Sequence, residues 1–429
     1  MADMNSSQKG GFVRQMVIIS VLFFIFGFVT WLNGTLIPFL QIACELTEKQ
    51  ALLVTFAFYM AYFVLAIPSS AILQKTGFKN GMALGLLVMA VGSLIFIPAA
   101  QQRTFSLFLT GLFVQGAGLA LLQTASNPYA AIIGPMESAA RRISILGICN
   151  KVAGAISPLI LSAIVLKDAS VIEEQLKSVV SDTEKHELLT ALASKVISPY
   201  IVMAIVLVIL AFLIKKSSLP EIDTDGEATS EEGKRASGAK TSVFAHPHLV
   251  LGVICLFLYV GVEVMAGDVI GNYGRAMHMS LDKTKYFTSF TLVSMLLGYI
   301  IGIFTIPKYI SQQTSLKLAA ILGIIFTLGA FFSEGYTAIT FIALLGLANA
   351  PMWPAIFPLA INKLGRFTKI GSALLIMGIA GGAILPQLYV YLKSHLQLAN
   401  HVAFLICMLP CYLYILYYAM SGYKAGLKK

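Results

Sequence analysis

Three charged side chains, Lys151, Glu263 and Asp268, lie well inside long apolar stretches of this 429-residue chain, where charge is otherwise almost absent. A Lys or Asp at the centre of a membrane helix costs about 2.5 to 3.5 kcal/mol on insertion scales, so such groups persist where they pair or face a wet cavity. A carboxylate so placed can take up a cation, and an ammonium can stand in for one. Lys151 lies about ten residues beyond Arg141, roughly 15 Å at 1.5 Å per residue, and Glu263 roughly 22 Å along its own stretch from His248. At these depths Lys151 can approach Glu263. A cation arriving at Glu263 or Asp268 would then compete with the ammonium and couple its binding to a conformational equilibrium. The alternative use of the same groups is a static buried ion pair of little net stability.

Six neutral polar residues share this depth: Asn33, Gln123, Asn127, Asn150, Asn349 and Gln387. The two tryptophans of the chain, Trp31 and Trp353, stand beside them. An amide in a span can bond a polar ligand, or close an interhelical hydrogen bond that contributes about 0.6 to 2 kcal/mol. Tryptophan can cover a ligand, pack, or anchor at the lipid interface. Gln123 and Asn127 are spaced i, i+4 and share one helix face. Asn127-Pro128 predicts a broken turn with freed carbonyls, and Gly154 with Pro158 predicts a bendable helix after Asn150 and Lys151.

The elements that must position these groups are membrane helices. About twelve apolar runs between Gly11 and Met420 approach or exceed the roughly 20 residues that cross a bilayer. With 58% hydrophobic residues, 12% charged and a mean hydropathy of +0.83, the chain does not suit water as its solvent. Spanning lipid demands internal backbone hydrogen bonding, and unbroken apolar runs select helices over barrel strands. Arg14 leads into an apolar run with no cleavage site, so the first run is a span and not a signal peptide. The net charge of +10 is topological: the side holding the N-terminus collects about twice as many Lys and Arg as the other, which places both termini in the cytoplasm. No nucleic-acid partner is implied.

The five cysteines have no metal-ligand or paired spacing, and no metal site or cofactor is expected. Asp223-Thr224-Asp225 lies in low-complexity sequence, and His246-Pro247-His248 reads as a helix start. With no nucleophile and base arrangement or phosphate loop, an enzyme is not expected. Residues 166–196 form an outer loop with a short amphipathic helix, and 215–247 a polar cytoplasmic linker. The linker separates six spans in 1–214 from six in 248–429. A repeat supports the division: Phe23 to Gly34 matches Phe257 to Asp268 at an offset of 234, Asn127-Pro128 matches Trp353-Pro354 at 226, and Gly154 to Pro158 matches Gly382 to Pro386 at 228. The fold class is therefore an all-α membrane protein of twelve transmembrane helices in two pseudo-symmetric six-helix bundles, a parallel repeat with its site between halves.

Four strings carry a family resemblance: TWLNGTLIPF in the first span, QTASNPYAAIIGP in the fourth, YVGVEVMAGD in the seventh and FTKIGSALLIMGIAGGAILP entering the eleventh. Over nearly its whole length the chain resembles the fucose/galactose/glucose symporter family of the major facilitator superfamily. Within it the chain is most similar to the bacterial glucose/galactose transporters, with N-acetylglucosamine permeases as near relatives. The superfamily loop motif GxxxDxxGR is degenerate between Pro68 and Gly81 and lacks its Asp. The fucose permeases carry a proton-linked Asp where this chain has Gly34 and a Glu where it has Gln123, so the acidic role is expected to have moved to the second half, at Asp268.

The resemblance implies cation-coupled uptake of a hexose such as glucose or galactose by alternating access. The amides and tryptophans above would hold a monosaccharide, and Lys151, Glu263 and Asp268 would serve a coupling ion, H+ or Na+. The alternatives are an N-acetylglucosamine or fucose permease, an uncoupled sugar facilitator or exporter, and a sugar sensor built on the same fold. The expected setting is a monomer in the bilayer of a bacterial inner membrane.

Overall fold

The computed structural model describes residues 6–46, 48–161, 164, 181–217, 219–221, 242–279 and 287–427, and among these the chain is almost wholly helical, with no strand. Of Asn33, Gly34, Pro158 and Arg275 only the backbone is described. Most of the expected linker, 222–241, lies outside the described residues.

Long apolar runs become long helices: α1 Ser6–Ala43, α2 Glu48–Gln101, α3 Phe105–Ile132, α4 Ala139–Leu161 and α6 Ile197–Lys216. Ten helical stretches among the described residues are long and apolar enough to cross a bilayer. One of them, Phe56–Gln101, has 46 residues, about 69 Å of helix, which is two crossings of a roughly 30 Å core. With α4 added, the expected twelve crossings are all present.

Within α2 the two crossings meet at Gly77, whose φ of 76° favours glycine. A Cβ there would also strike the Glu221 carboxylate. Glu221 accepts from the backbone N–H of Phe78 and, at 3.3 Å, from that of Lys79, while Lys79 Nζ donates to the Ser217 carbonyl at 2.6 Å. These N–H groups open the second crossing and have no partner within it. The loop that lacks the motif's Asp thus receives a carboxylate from far along the chain.

The amphipathic helix expected in the outer loop is α5, Asp182–Ser194, which buries Leu189, Leu192 and Ala193. Its Lys185 lies 2.5 Å from Glu45, which Arg103 also reaches at 3.3 Å. The Lys185 hydrogen bond holds the Glu45 carboxyl below its ordinary value against the opposing effect of burial, helped by the Lys185 charge and by the hydrogen bond and charge of Arg103.

The second half is more segmented. Its helices are α7 Pro247–Gly267, α8 Val269–Ala276, α9 Phe287–Thr305, α10 Gln312–Phe332, α11 Gly335–Asn349, α12 Met352–Ile361, α13 Thr368–Met377, α14 Gly381–Ser394 and α15 Asn400–Met420. Three of the apolar runs, 248–275, 336–364 and 368–393, each expected as one span, break at Asp268, at Ala350-Pro351 and at a 3₁₀ turn, Gly378–Ala380. Asp268 is therefore an exposed residue at a helix junction and not a group deep within a span. Thr288 and Thr291 of α9 donate to the carbonyls of Gly267 and Ala266, each at 2.9 Å, and so satisfy the backbone at that break. Conversely, the broken turn expected at Asn127-Pro128 does not form, because α3 continues to Ile132. Pro128 still deprives the Thr124 carbonyl of its usual donor.

The residues group into two compact units, Met1–Ser126 with Cys149–Glu221, and Asn127–Ile148 with Ile222–Lys429. Packing repeats between them. In the first, Gly27 of α1 lies against the Asn150 carbonyl of α4, and the Asn150 amide donates to the Phe23 carbonyl at 3.3 Å. In the second, Gly381 of α14 lies against the carbonyl of Phe257, the repeat mate of Phe23.

Arg142 closes the turn between α3 and α4. It is 4% exposed and donates to the carbonyls of Ala130, Ala131, Gly134 and Pro135 and to Ser138 Oγ at 2.6 to 3.2 Å. The Ala130 and Ala131 carbonyls lie in the last turn of α3, where no helical N–H follows to meet them. Arg142→Ala should lower the thermal unfolding midpoint in detergent, by a stability loss of roughly 1.5 to 3 kcal/mol, with Arg142→Lys intermediate. An unchanged midpoint would mean that these carbonyls are served by other groups.

Candidate functional site

In the first unit, α1 and α4 meet around Trp31. Gly154 leaves room for the indole, since a Cβ there would collide with it. One turn earlier on α4, Lys151 is 6% exposed and holds its ammonium 4.8 Å from the Trp31 ring centroid. A desolvated cation over an indole face gains up to about 2 kcal/mol, comparable to the insertion cost of the charge. Gln123 Nε2 donates to the hydroxyl of Tyr62, which is fully buried, at 3.0 Å. Thr30 of α1 lies within hydrogen-bonding reach of the same hydroxyl. Asn150 makes the interhelical bond to Phe23. The Asn33 side chain lies outside the described residues.

In the second unit a chain of polar and aromatic contacts runs through the helix breaks. Trp353, in the first turn of α12, donates its indole N–H to Asn127 Oδ1 at 3.2 Å. The two residues are each other's counterparts at the 226 offset. The Trp353 ring stacks on Phe357, one turn along, with centroids 6.0 Å apart, and meets the buried Tyr259 ring at 6.4 Å. Tyr259 and Glu263, i and i+4 on α7, are hydrogen-bonded, and the Glu263 carboxylate lies within electrostatic reach of Tyr299 on α9 and Tyr412 on α15. Tyr412 donates to Asn349 Oδ1 at 2.8 Å at the end of α11. Asn349 is fully buried, and its Nδ2 finds no hydrogen-bond partner among the described residues.

The structure therefore brings Asn127, Trp353, Asn349 and Glu263 into one network in the second unit, and Trp31 with Lys151 in the first. Gln387 is exposed on α14 beside Ile384 and Tyr391, and Asp268 is exposed at the junction of α7 and α8. Sequence reasoning missed Tyr62, Tyr259, Tyr299 and Tyr412. Tyr259 had a signal, its i, i+4 spacing from Glu263; the others meet their partners only through tertiary packing. Chemically, the second-unit network combines a carboxylate, amide donors and acceptors, phenolic hydroxyls and an indole face, the set that suits a polyhydroxylated ring. Tyr412→Phe should cost about 1 to 3 kcal/mol by stranding the buried Asn349 oxygen; equal melting of variant and wild type in detergent would argue that this bond is absent.

A sequence profile for the Major Facilitator Superfamily matches residues 19–386. The glucose/galactose transporter of Brucella abortus biovar 1 (strain 9-941) is 32% identical over 428 residues, covering 98% of this chain and 96% of that one. The L-fucose-proton symporter of Escherichia coli K12 is 27% identical over 384 residues, 89% of this chain and 87% of that one. Among solved structures, the transporter FucP in its outward conformation superposes with a TM-score of 0.81 at 26% identity, covering 95% of this chain and 98% of that one.

Proposed function

We propose that this chain, which belongs to the Major Facilitator Superfamily, a family of transporters and not of enzymes, takes up a hexose, glucose or galactose, by cation-coupled symport. The observation that carries this reading is the contact chain from Asn127 through Trp353 and Tyr259 to Glu263. It supplies what a pyranose needs: paired amide and carboxylate acceptors for its hydroxyls, and an aromatic face for its C–H surface. The Asn349 amide is a buried donor for which a sugar oxygen is the fitting acceptor. Trp31 and Gln123 of the first unit are further residues we assign to sugar contact, and transport proceeds by alternating access.

Lys151, Glu263 and Asp268 are the ionisable groups through which the cation acts. The similarity to L-fucose-proton symporters supports a proton as that cation. The protein sits as a monomer in the cytoplasmic membrane with both termini inside, as its basic residues indicate.

Uptake into proteoliposomes separates the possibilities. Glucose, galactose, N-acetylglucosamine and L-fucose are each supplied under an imposed pH gradient and, separately, a sodium gradient. Glucose or galactose should accumulate above equilibrium under one of the two. Equilibration without accumulation, for every sugar and both gradients, would make the protein a facilitator.

Two substitutions divide the roles. Glu263→Gln should abolish accumulation while sugar exchange persists, and undiminished accumulation would return Glu263 to packing. Trp353→Phe keeps a ring and loses the N–H, so sugar affinity measured by calorimetry should fall by up to about tenfold, or about 1.4 kcal/mol, with the cation requirement intact. Unaltered affinity would remove Trp353 from the site.

A further inference from the structure

Although α4 is one unbroken helix, its residues 139–148 group with the second unit and the rest with the first. The change falls where α4 meets α9. Ser144, Gly147 and Ile148 are spaced i, i+3, i+4 and share one face of α4. A Cβ on Gly302 of α9 would touch Ser144 Oγ at 3.4 Å, and Ile148 packs on the buried cluster of Met295, Tyr299 and Ala350. Between these two contacts sits Gly147. A Cβ there would come within 2.5 Å of the Tyr299 ring, at the edge next to its hydroxyl, so the missing side chain is what seats the tyrosine against α4. Small residues permit this close approach between membrane helices.

Tyr299 is also engaged from a second side. The Glu263 carboxylate is faced by Tyr259 from its own helix, by Tyr299 from α9 and by Tyr412 from α15. Tyr299 is the member of that set whose ring lies against Gly147. In a low-dielectric interior a charged carboxylate attracts a phenol O–H dipole more strongly than in water, and loses most of that attraction when neutralised.

We propose that Tyr299 is a positioning residue that makes the packing of α9 on α4 depend on the charge of Glu263. With Glu263 charged, the phenol is held in its seat over Gly147 and the seam from Ser144 to Ile148 is closed. A cation on Glu263 weakens that hold and releases α9 from α4, the helix that carries Lys151 one turn beyond Gly147. The proposal rests on the assignment of Glu263 to the coupling cation, and gives that cation a physical route to a second helix.

The test is a thiol-labelling cycle on the full chain in detergent. Ser144 is fully buried at the seam, so Ser144→Cys, a near-isosteric change, reports opening through its alkylation by N-ethylmaleimide, read at that peptide by mass spectrometry. The rate is taken relative to Cys255 and Cys407, which are buried in the same unit and gain label with it only if the unit unfolds. Glu263→Gln, a neutral mimic, should raise the relative rate several-fold. Tyr299→Phe keeps the ring over Gly147 and removes only the hydroxyl; it should raise the rate as well, and Glu263→Gln added to it should raise it no further. Effects that multiply in the double variant overturn the link, because a tyrosine that only packs would leave the response to Glu263→Gln intact. A rate untouched by Glu263→Gln overturns it too. Gly147→Ala must displace the ring and should open the seam with Glu263 and Tyr299 in place; unchanged labelling there would mean that the ring is not seated on Gly147. Neither sugar nor gradient enters the measurement. Accumulation that survives Glu263→Gln would therefore remove the coupling role of Glu263 and leave its link to the seam standing.

Discussion

Hydrocarbon offers the backbone no hydrogen bond, and the architecture of this chain answers to that constraint at every interruption of its helices. Where α3 ends, Arg142 takes up its last carbonyls. Where α2 turns at Gly77, Glu221 meets the first N–H groups of the second crossing. Where α7 stops at Asp268, two threonines of α9 bond the carbonyls before it. Each solution brings a polar side chain to a fixed depth, so the demand of the solvent for closed backbone bonding also dictates where side-chain chemistry can be placed.

The same constraint puts Lys151 in a different light. An ammonium buried in a span looks, from sequence, as though it requires a carboxylate. In the folded chain one contact of its ammonium is the face of the Trp31 indole, an interaction of the same order as the cost of bringing the charge into the bilayer. Glu263 is hydrogen-bonded to Tyr259 and lies within electrostatic reach of Tyr299 and Tyr412, all in its own unit.

How much of this was legible in the sequence depends on range. The crossings were visible because apolar length is a local property, and the double helix α2 differs from expectation only in being joined at Gly77. The packing repeat was visible in part: the 226 offset aligned Asn127 with Trp353, but nothing local could say that the two bond each other. The breaks at Ala350-Pro351 and Gly378–Ala380 were unreadable, and the one expected at Asn127-Pro128 was wrong, for one reason. Proline and glycine are common in membrane helices, and whether a helix yields at one depends on groups from neighbouring helices. The tyrosines around Glu263 escaped notice because two of them come from α9 and α15, far along the chain.

The two halves, alike in sequence pattern, differ in the continuity of their helices. In the first, α1, α3 and α4 are single rods through the depth of the bilayer, whereas in the second the corresponding helices are each divided into two pieces. A rod transmits displacement from end to end; a jointed member can bend at its middle while its ends stay seated. The residues flanking the Ala350-Pro351 joint, Asn349 and Trp353, are thus placed at an elbow of the second half, where a change of angle would alter their spacing most.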